Sequence, residues 1–193
     1  FSKSSAVNTI ALARFFLFGA RDTWFVVALP VFLYGDGWSF WEVGGFLALW
    51  TMLYGLVQGM APAIMRITNT TPVSWTSRVG WAVALAMALI GISICMIVKM
   101  DVLLLITGLL VFGVIFAVNS SLHSFLIVAY AGSKKAAEDI GFYYAANAAG
   151  RLAGTFLSGF LSYQGGLLAC LAGSALFLII TALMVARLPQ VEA

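Results

Sequence analysis

Charged residues are scarce in this chain of 193: Asp, Glu, Lys and Arg together make up 9%, against roughly a quarter in soluble globular domains. That deficit excludes a water-soluble fold. One His and two Cys are too few for a zinc or iron–sulfur cluster, and Cys95 and Cys170 lie singly inside apolar runs, where they read as packing residues. No basic tract suits a nucleic-acid partner. There is no Ser or Cys elbow with a nearby base and no phosphate-cradling glycine loop, so neither an enzyme nor a cofactor is expected.

What fills the chain is apolar: 63% of residues are hydrophobic and the mean hydropathy is +1.05. Apolar runs of about 20 residues recur with short polar breaks, matching helices that cross a hydrocarbon core of roughly 30 Å, whereas barrel strands would give alternating segments of about ten. The runs predict an all-α membrane domain over 1–193 with six spans, at 6–34, 40–65, 79–98, 102–131, 136–163 and 166–187. Turn chemistry separates them at Gly35-Asp36-Gly37, Asn69-Thr70-Thr71-Pro72, Gly132-Ser133-Lys134-Lys135 and Gln164-Gly165-Gly166. The chain opens on Phe1, and Arg14 and Arg21 interrupt the first run, which argues against a cleaved signal and leads us to expect a fragment.

Basic residues set the expected orientation. Lys3, Arg66, Arg78, Lys134, Lys135 and Arg187 fall on one side of the zigzag and only Lys99 on the other, so both ends are expected in the cytoplasm. The third and sixth spans hold nothing more polar than Ser, Thr or Cys in their interiors and are expected to face lipid. The other four carry large polar groups, giving two similar triplets. A weak repeat agrees: Glu42-Val43-Gly44 opens the second span as Asp139-Ile140-Gly141 opens the fifth. The same offset sets Asp22 over Asn119 and Tyr54 over Arg151. Nested three-helix repeats with a midplane site are common in secondary transporters.

The deep charges are the candidate site. An ionised group near the bilayer centre costs at least about 2.5–3.5 kcal/mol and usually faces a bundle interior. Arg14 and Arg21 are seven apart and share a helix face; Arg14 is either a ligand group or a side chain snorkelling to the interface. Asp22, one residue from Arg21, is turned about 100° away and is expected to address another helix in a pairing or gating role. In the fifth span Tyr143, Asn147 and Arg151 form one stripe. A small-residue stripe of Ala146, Gly150, Gly154 and Ser158 beside it permits close helix approach. Arg151 reads as a substrate group or as a salt-bridge partner of Asp22. Trp50, Tyr54 and Gln58 line the second span, as cavity wall or as packing. Asn119 and His123 share a face of the fourth, as coupling groups or as helix-to-helix hydrogen bonds. Trp24, Trp38 and Trp41 read as interfacial anchors. Three Arg against one Asp leave an excess of +2, which calls for an anionic ligand or another protein segment. Arginine suits this role because its planar fork binds oxyanions bidentately.

The runs Arg14-Phe15-Phe16-Leu17-Phe18-Gly19-Ala20-Arg21-Asp22, Gly37-Trp38-Ser39-Phe40-Trp41-Glu42-Val43-Gly44-Gly45-Phe46 and Gly141-Phe142-Tyr143-Tyr144, followed by Asn147 and Gly150-Arg151-Leu152, resemble a known family. It is that of the organoarsenical efflux permeases of arsenic-resistance operons, the ArsJ family of the major facilitator superfamily. The resemblance covers nearly this whole chain but only the C-terminal six of that family's twelve helices. It implies a multi-pass inner-membrane protein and a separate N-terminal six-helix half. It also implies export of 1-arseno-3-phosphoglycerate made by a partner glyceraldehyde 3-phosphate dehydrogenase, and a driving proton gradient with Asp22 or His123 as coupling candidates. The charges alone fit any organic phosphate or dicarboxylate, and two further readings stay open: a facilitator for another anion or drug, and a non-transporting scaffold.

Overall fold

A computed structural model describes residues 2, 4–65, 73–98, 101–132 and 135–190. They form α1 (Ser5–Phe25), α2 (Ala28–Gly35), α3 (Phe40–Ile64), α4 (Trp75–Ile97), α5 (Val102–Tyr130) and α6 (Ala136–Ala186). Among the described residues these make five apolar helical stretches long enough to cross a membrane, α1 and α2 together forming the first. The chain is an all-α membrane protein.

The first stretch is not continuous. Pro30 has no N–H to give, and its ring crowds the carbonyl four residues back, at Val26, so the helix opens at Val26–Val27. The Ser158 hydroxyl accepts from the freed N–H groups of Val27 (3.3 Å) and Ala28 (3.2 Å), which satisfies two of the orphan donors at the start of α2. Start signals are conventional elsewhere: Ser4, Ser39, Ser74 and Asp101 each accept from a backbone N–H in the first turn, and Ser39 with Glu42 completes a capping box.

The hydropathy reading expected separate fifth and sixth spans, whereas the backbone runs through both as α6, 51 residues long. Extended, such a helix would measure about 76 Å, over twice the hydrocarbon thickness. It folds back instead. Gly165 and Gly166 leave helical geometry, with φ +64° at Gly166, a region open to glycine. The Cys170 thiol donates to the Ser158 carbonyl at 3.5 Å, and a Cβ on Gly173 would lie 2.7 Å from Leu161. Residues twelve apart cannot touch along a straight helix, so 136–164 and 167–186 are two arms of a hairpin.

The first arm packs on α1 through the small-residue stripe. A Cβ on Gly150 would collide with the Phe15 carbonyl, and one on Gly154 with the Gly19 carbonyl, so the two backbones meet directly, as small residues allow. The second arm adds a hydrogen bond from Ser174 to the Ala20 carbonyl, 2.6 Å. The outer groove between α4 and the second arm is lined by Val83, Met87, Ile179 and Leu183 with no polar side chain. Trp24 is not an interfacial anchor. It is fully buried and packs edge-on against Trp50 and Phe112, because α2 extends the stretch well beyond it and leaves it inside the bundle.

Candidate functional site

Asp22 is the hub of the deep charges. Its Oδ1 accepts from Arg21 Nε and Nη2, both at 2.6 Å, and its Oδ2 accepts from Arg151 Nε at 3.0 Å. The carboxylate therefore bridges α1 to the first arm of α6. The expectation that Asp22 leaves Arg21 for another helix is half corrected: it reaches the other helix and keeps its neighbour. The rule that adjacent residues diverge applies to the Cα–Cβ directions, and the long arginine stem folds back across that angle. Exposure differs sharply along the cluster. The Asp22 side chain is 1% exposed, Arg21 12% and Arg151 56%.

Arg14 does not snorkel. It is 4% exposed and donates through Nη1 to the Ser120 carbonyl (2.9 Å) and hydroxyl (3.1 Å) on α5. Its guanidinium lies 4.0 Å from the centre of the Phe18 ring and 5.1 Å from that of Tyr143. Arg21 approaches the same Phe18 ring at 5.0 Å, so two cations flank one phenyl group and draw on its negative face. No carboxylate pairs with Arg14 among the described residues.

Tyr54 joins this wall through its hydroxyl, 3.0 Å from that of Ser120, and stacks on Trp50. Trp50 itself is packing: it is buried, donates to the Leu109 carbonyl, and occupies the space over Gly113. Tyr143 is buried beside Arg14, with the Ser124 hydroxyl near its own but outside hydrogen-bonding geometry. Asn147 follows one turn on, and its Oδ1 and both ring nitrogens of His123 are buried without a partner among the described residues. Buried polar atoms without a partner are uncommon. Gln58 is half-buried, a turn beyond Tyr54.

Asn119 lies apart from the cluster. Its amide donates to the carbonyls of Trp81 on α4 and Ile115, both at 2.9 Å, so it ties α5 to α4 rather than facing Arg14 or Asp22.

Sequence reasoning missed Arg78, taken as a loop residue before a span starting at 79. Because Ser74 caps a helix that begins at Trp75, Arg78 falls in its first turn and is 1% exposed. It donates to Tyr130 Oη (2.9 Å) and to the carbonyls of Pro189 (2.8 Å) and Leu188 (2.6 Å), gathering α4, α5 and the end of α6. The Ser74 cap was the available signal. Hydrogen bonds to charged groups contribute about 1.5–3 kcal/mol each, so Arg78→Ala is expected to lower stability by about 3 kcal/mol. Arg78→Lys, with one ammonium for three acceptors, should recover only part of this in thermal unfolding in detergent.

The fold and this cluster define a membrane-embedded helix bundle with buried, incompletely neutralised arginines. No family model, curated protein or solved structure matches the chain.

Proposed function

We propose that this chain is the C-terminal, six-crossing half of a major-facilitator-type efflux permease that exports an organic anion, with 1-arseno-3-phosphoglycerate as the first candidate. The observation that carries the reading is the charge imbalance at Asp22: one carboxylate serves two arginines, and the outer of these, Arg151, is half-exposed in the middle of an apolar helix. Such a group attracts an oxyanion, and its planar fork can bind one bidentately. The hairpin in α6 supports six crossings, and the sorting of polar residues onto α1, α3, α5 and the first arm supports a cavity on that side. The sequence resemblance supplies the arsenical, the glyceraldehyde 3-phosphate dehydrogenase that would make it, and the N-terminal half that would cover Arg151. It also supplies the cytoplasmic placement of both ends and the inner membrane.

In this mechanism Arg21 and Arg151 clamp the anion, Tyr143, Asn147, Tyr54 and Gln58 position it, and Asp22 competes with it for the two cations. Arg14 is the fixed charge behind the clamp. Coupling to protons falls to Asp22 or His123.

The test is arsenate resistance in cells carrying the full-length permease. Arg21→Ala or Arg151→Ala should weaken transport by about 10- to 100-fold, the equivalent of one lost charge-assisted contact, at unchanged membrane abundance. Normal resistance in both variants would sink the clamp. Vesicle assays with arsenylated and plain phosphoglycerate separate the arsenical from other anions. The rival reading, a scaffold in which the charges only staple helices, is favoured by the three contacts that tie Asp22 to Arg21 and Arg151. Exchanging Asp22 and Arg151 cannot decide it, since Arg21 would then face a new arginine. Single neutralisations that keep the fold but lose transport decide against the scaffold.

A further inference from the structure

A groove of about 290 Å³ opens at one end of the bundle, where the start of α1 meets both arms of α6. Ser5, Asn8, Thr9 and Arg187 line its mouth, toward the helix ends, and Leu12, Phe15 and Met184 line it farther along the helices. No acidic side chain lines it, and Arg187 is exposed with no ion pair among the described residues. The groove thus has a cationic, hydroxyl-bearing end and an apolar end.

The two ends are stacked along the helix axis. From Ser5 to Leu12 is seven residues, about 10 Å of rise, more than the thickness of one headgroup layer, which is about 5–8 Å. A ligand whose charge sits at Arg187 therefore has its other end at hydrocarbon depth, against Leu12, which is 45% exposed, and Phe15. A soluble anion would use the mouth alone. An amphiphile with an anionic head, such as a phosphate, and an alkyl chain matches both.

We infer that this groove is a binding site for an anionic phospholipid, with the phosphate on Arg187 and the adjoining hydroxyls and the upper acyl chain along Leu12, Phe15 and Met184. Basic pockets between membrane helices recognise lipid headgroups in this way. The site is separate from the Asp22 cluster and stands whether or not the transport reading holds.

The experiment uses the full-length protein in nanodiscs of phosphatidylcholine alone or of an equimolar mixture with phosphatidylglycerol. Thermal unfolding and retention of phosphatidylglycerol through purification are measured. The wild type should unfold at higher temperature in the mixture and retain the anionic lipid. Arg187→Gln should cut retention about five-fold, the size of one basic residue's attraction to an anionic lipid, and Arg187→Lys should keep most of it. Leu12→Asn should weaken retention with the charge intact. Lys135→Gln is the control: Lys135 is exposed, pairs with Glu138 at 2.9 Å and lies outside the groove, so this variant should behave as wild type. Wild-type retention by Arg187→Gln overturns the inference, as does an equal loss in Lys135→Gln, which would mean general surface attraction. Stabilisation by inorganic phosphate at matched ionic strength, equal to that by lipid, also overturns it.

Discussion

Gly154→Val is expected to leave little folded protein in the membrane. Any side-chain carbon at this position meets the Gly19 carbonyl, and a backbone oxygen held in a helix cannot swing aside as a flexible side-chain tip can. Overpacking in a filled core costs about 1–3 kcal/mol. Here the obstacle is main chain, so about 3 kcal/mol or more is expected as α1 and the first arm are wedged apart. That separation would also break the bridge between Asp22 and Arg151. The comparison is Gly159→Val on the same arm, where a Cβ meets nothing within 4 Å. Both variants carry the same helix-propensity change, so the difference in their yield of monodisperse protein and in thermal unfolding isolates the close contact. Equal behaviour would mean that the α1–α6 seam is looser than these backbone contacts require.

Asp22→Asn should be the most damaging isosteric change in the charged cluster. The amide keeps the shape of the carboxylate and removes the only negative charge available to Arg21 and Arg151 among the described residues. Breaking a buried pair from one side costs about 3–5 kcal/mol, because the remaining charge is left uncompensated. Arg151 is largely exposed and escapes most of this, so the lower end applies, with Arg21 bearing the cost. Adding Arg21→Gln should then restore part of the stability, giving a double variant more stable than the sum of the two single losses. Additive losses in thermal unfolding would show that the two side chains touch without coupling.

That the chain is built of membrane-length apolar helices was legible in the sequence because hydropathy and turn residues report directly on what can enter a bilayer; that one helix runs through the two spans expected at 136–163 and 166–187 was not. The features missed have specific physical origins. The opening at Val26–Val27 depends on Pro30 together with a hydroxyl from Ser158, 131 residues along the chain, and no local pattern contains both. Arg78 was counted as a loop cation because a positive charge at a span end is usually an orientation signal; its burial depends on three acceptors supplied by distant segments. The Asp22 cluster was half legible. The helical wheel placed Arg14 and Arg21 together, and the small-residue stripe set Arg151 against the bundle interior, where it meets Asp22 but stays 56% exposed. The wheel fixes only where side chains start, so it misjudged where the arginine tips end. Trp24 was misplaced although the first stretch was read to run on to 34, because its burial depends on Trp50 and Phe112, supplied by α3 and α5.

The reversal at Gly165–Gly166 bears on how the chain enters its membrane. Gly165 and Gly166 alone leave helical geometry between the arms, so no long polar loop separates them. The two arms, 136–164 and 167–186, thus form a helical hairpin that can enter the bilayer as one hydrophobic unit. Arg151 follows its partner Asp22 by 129 residues, so α1 is made with that carboxylate and both of its own arginines long before the arm that completes the bridge.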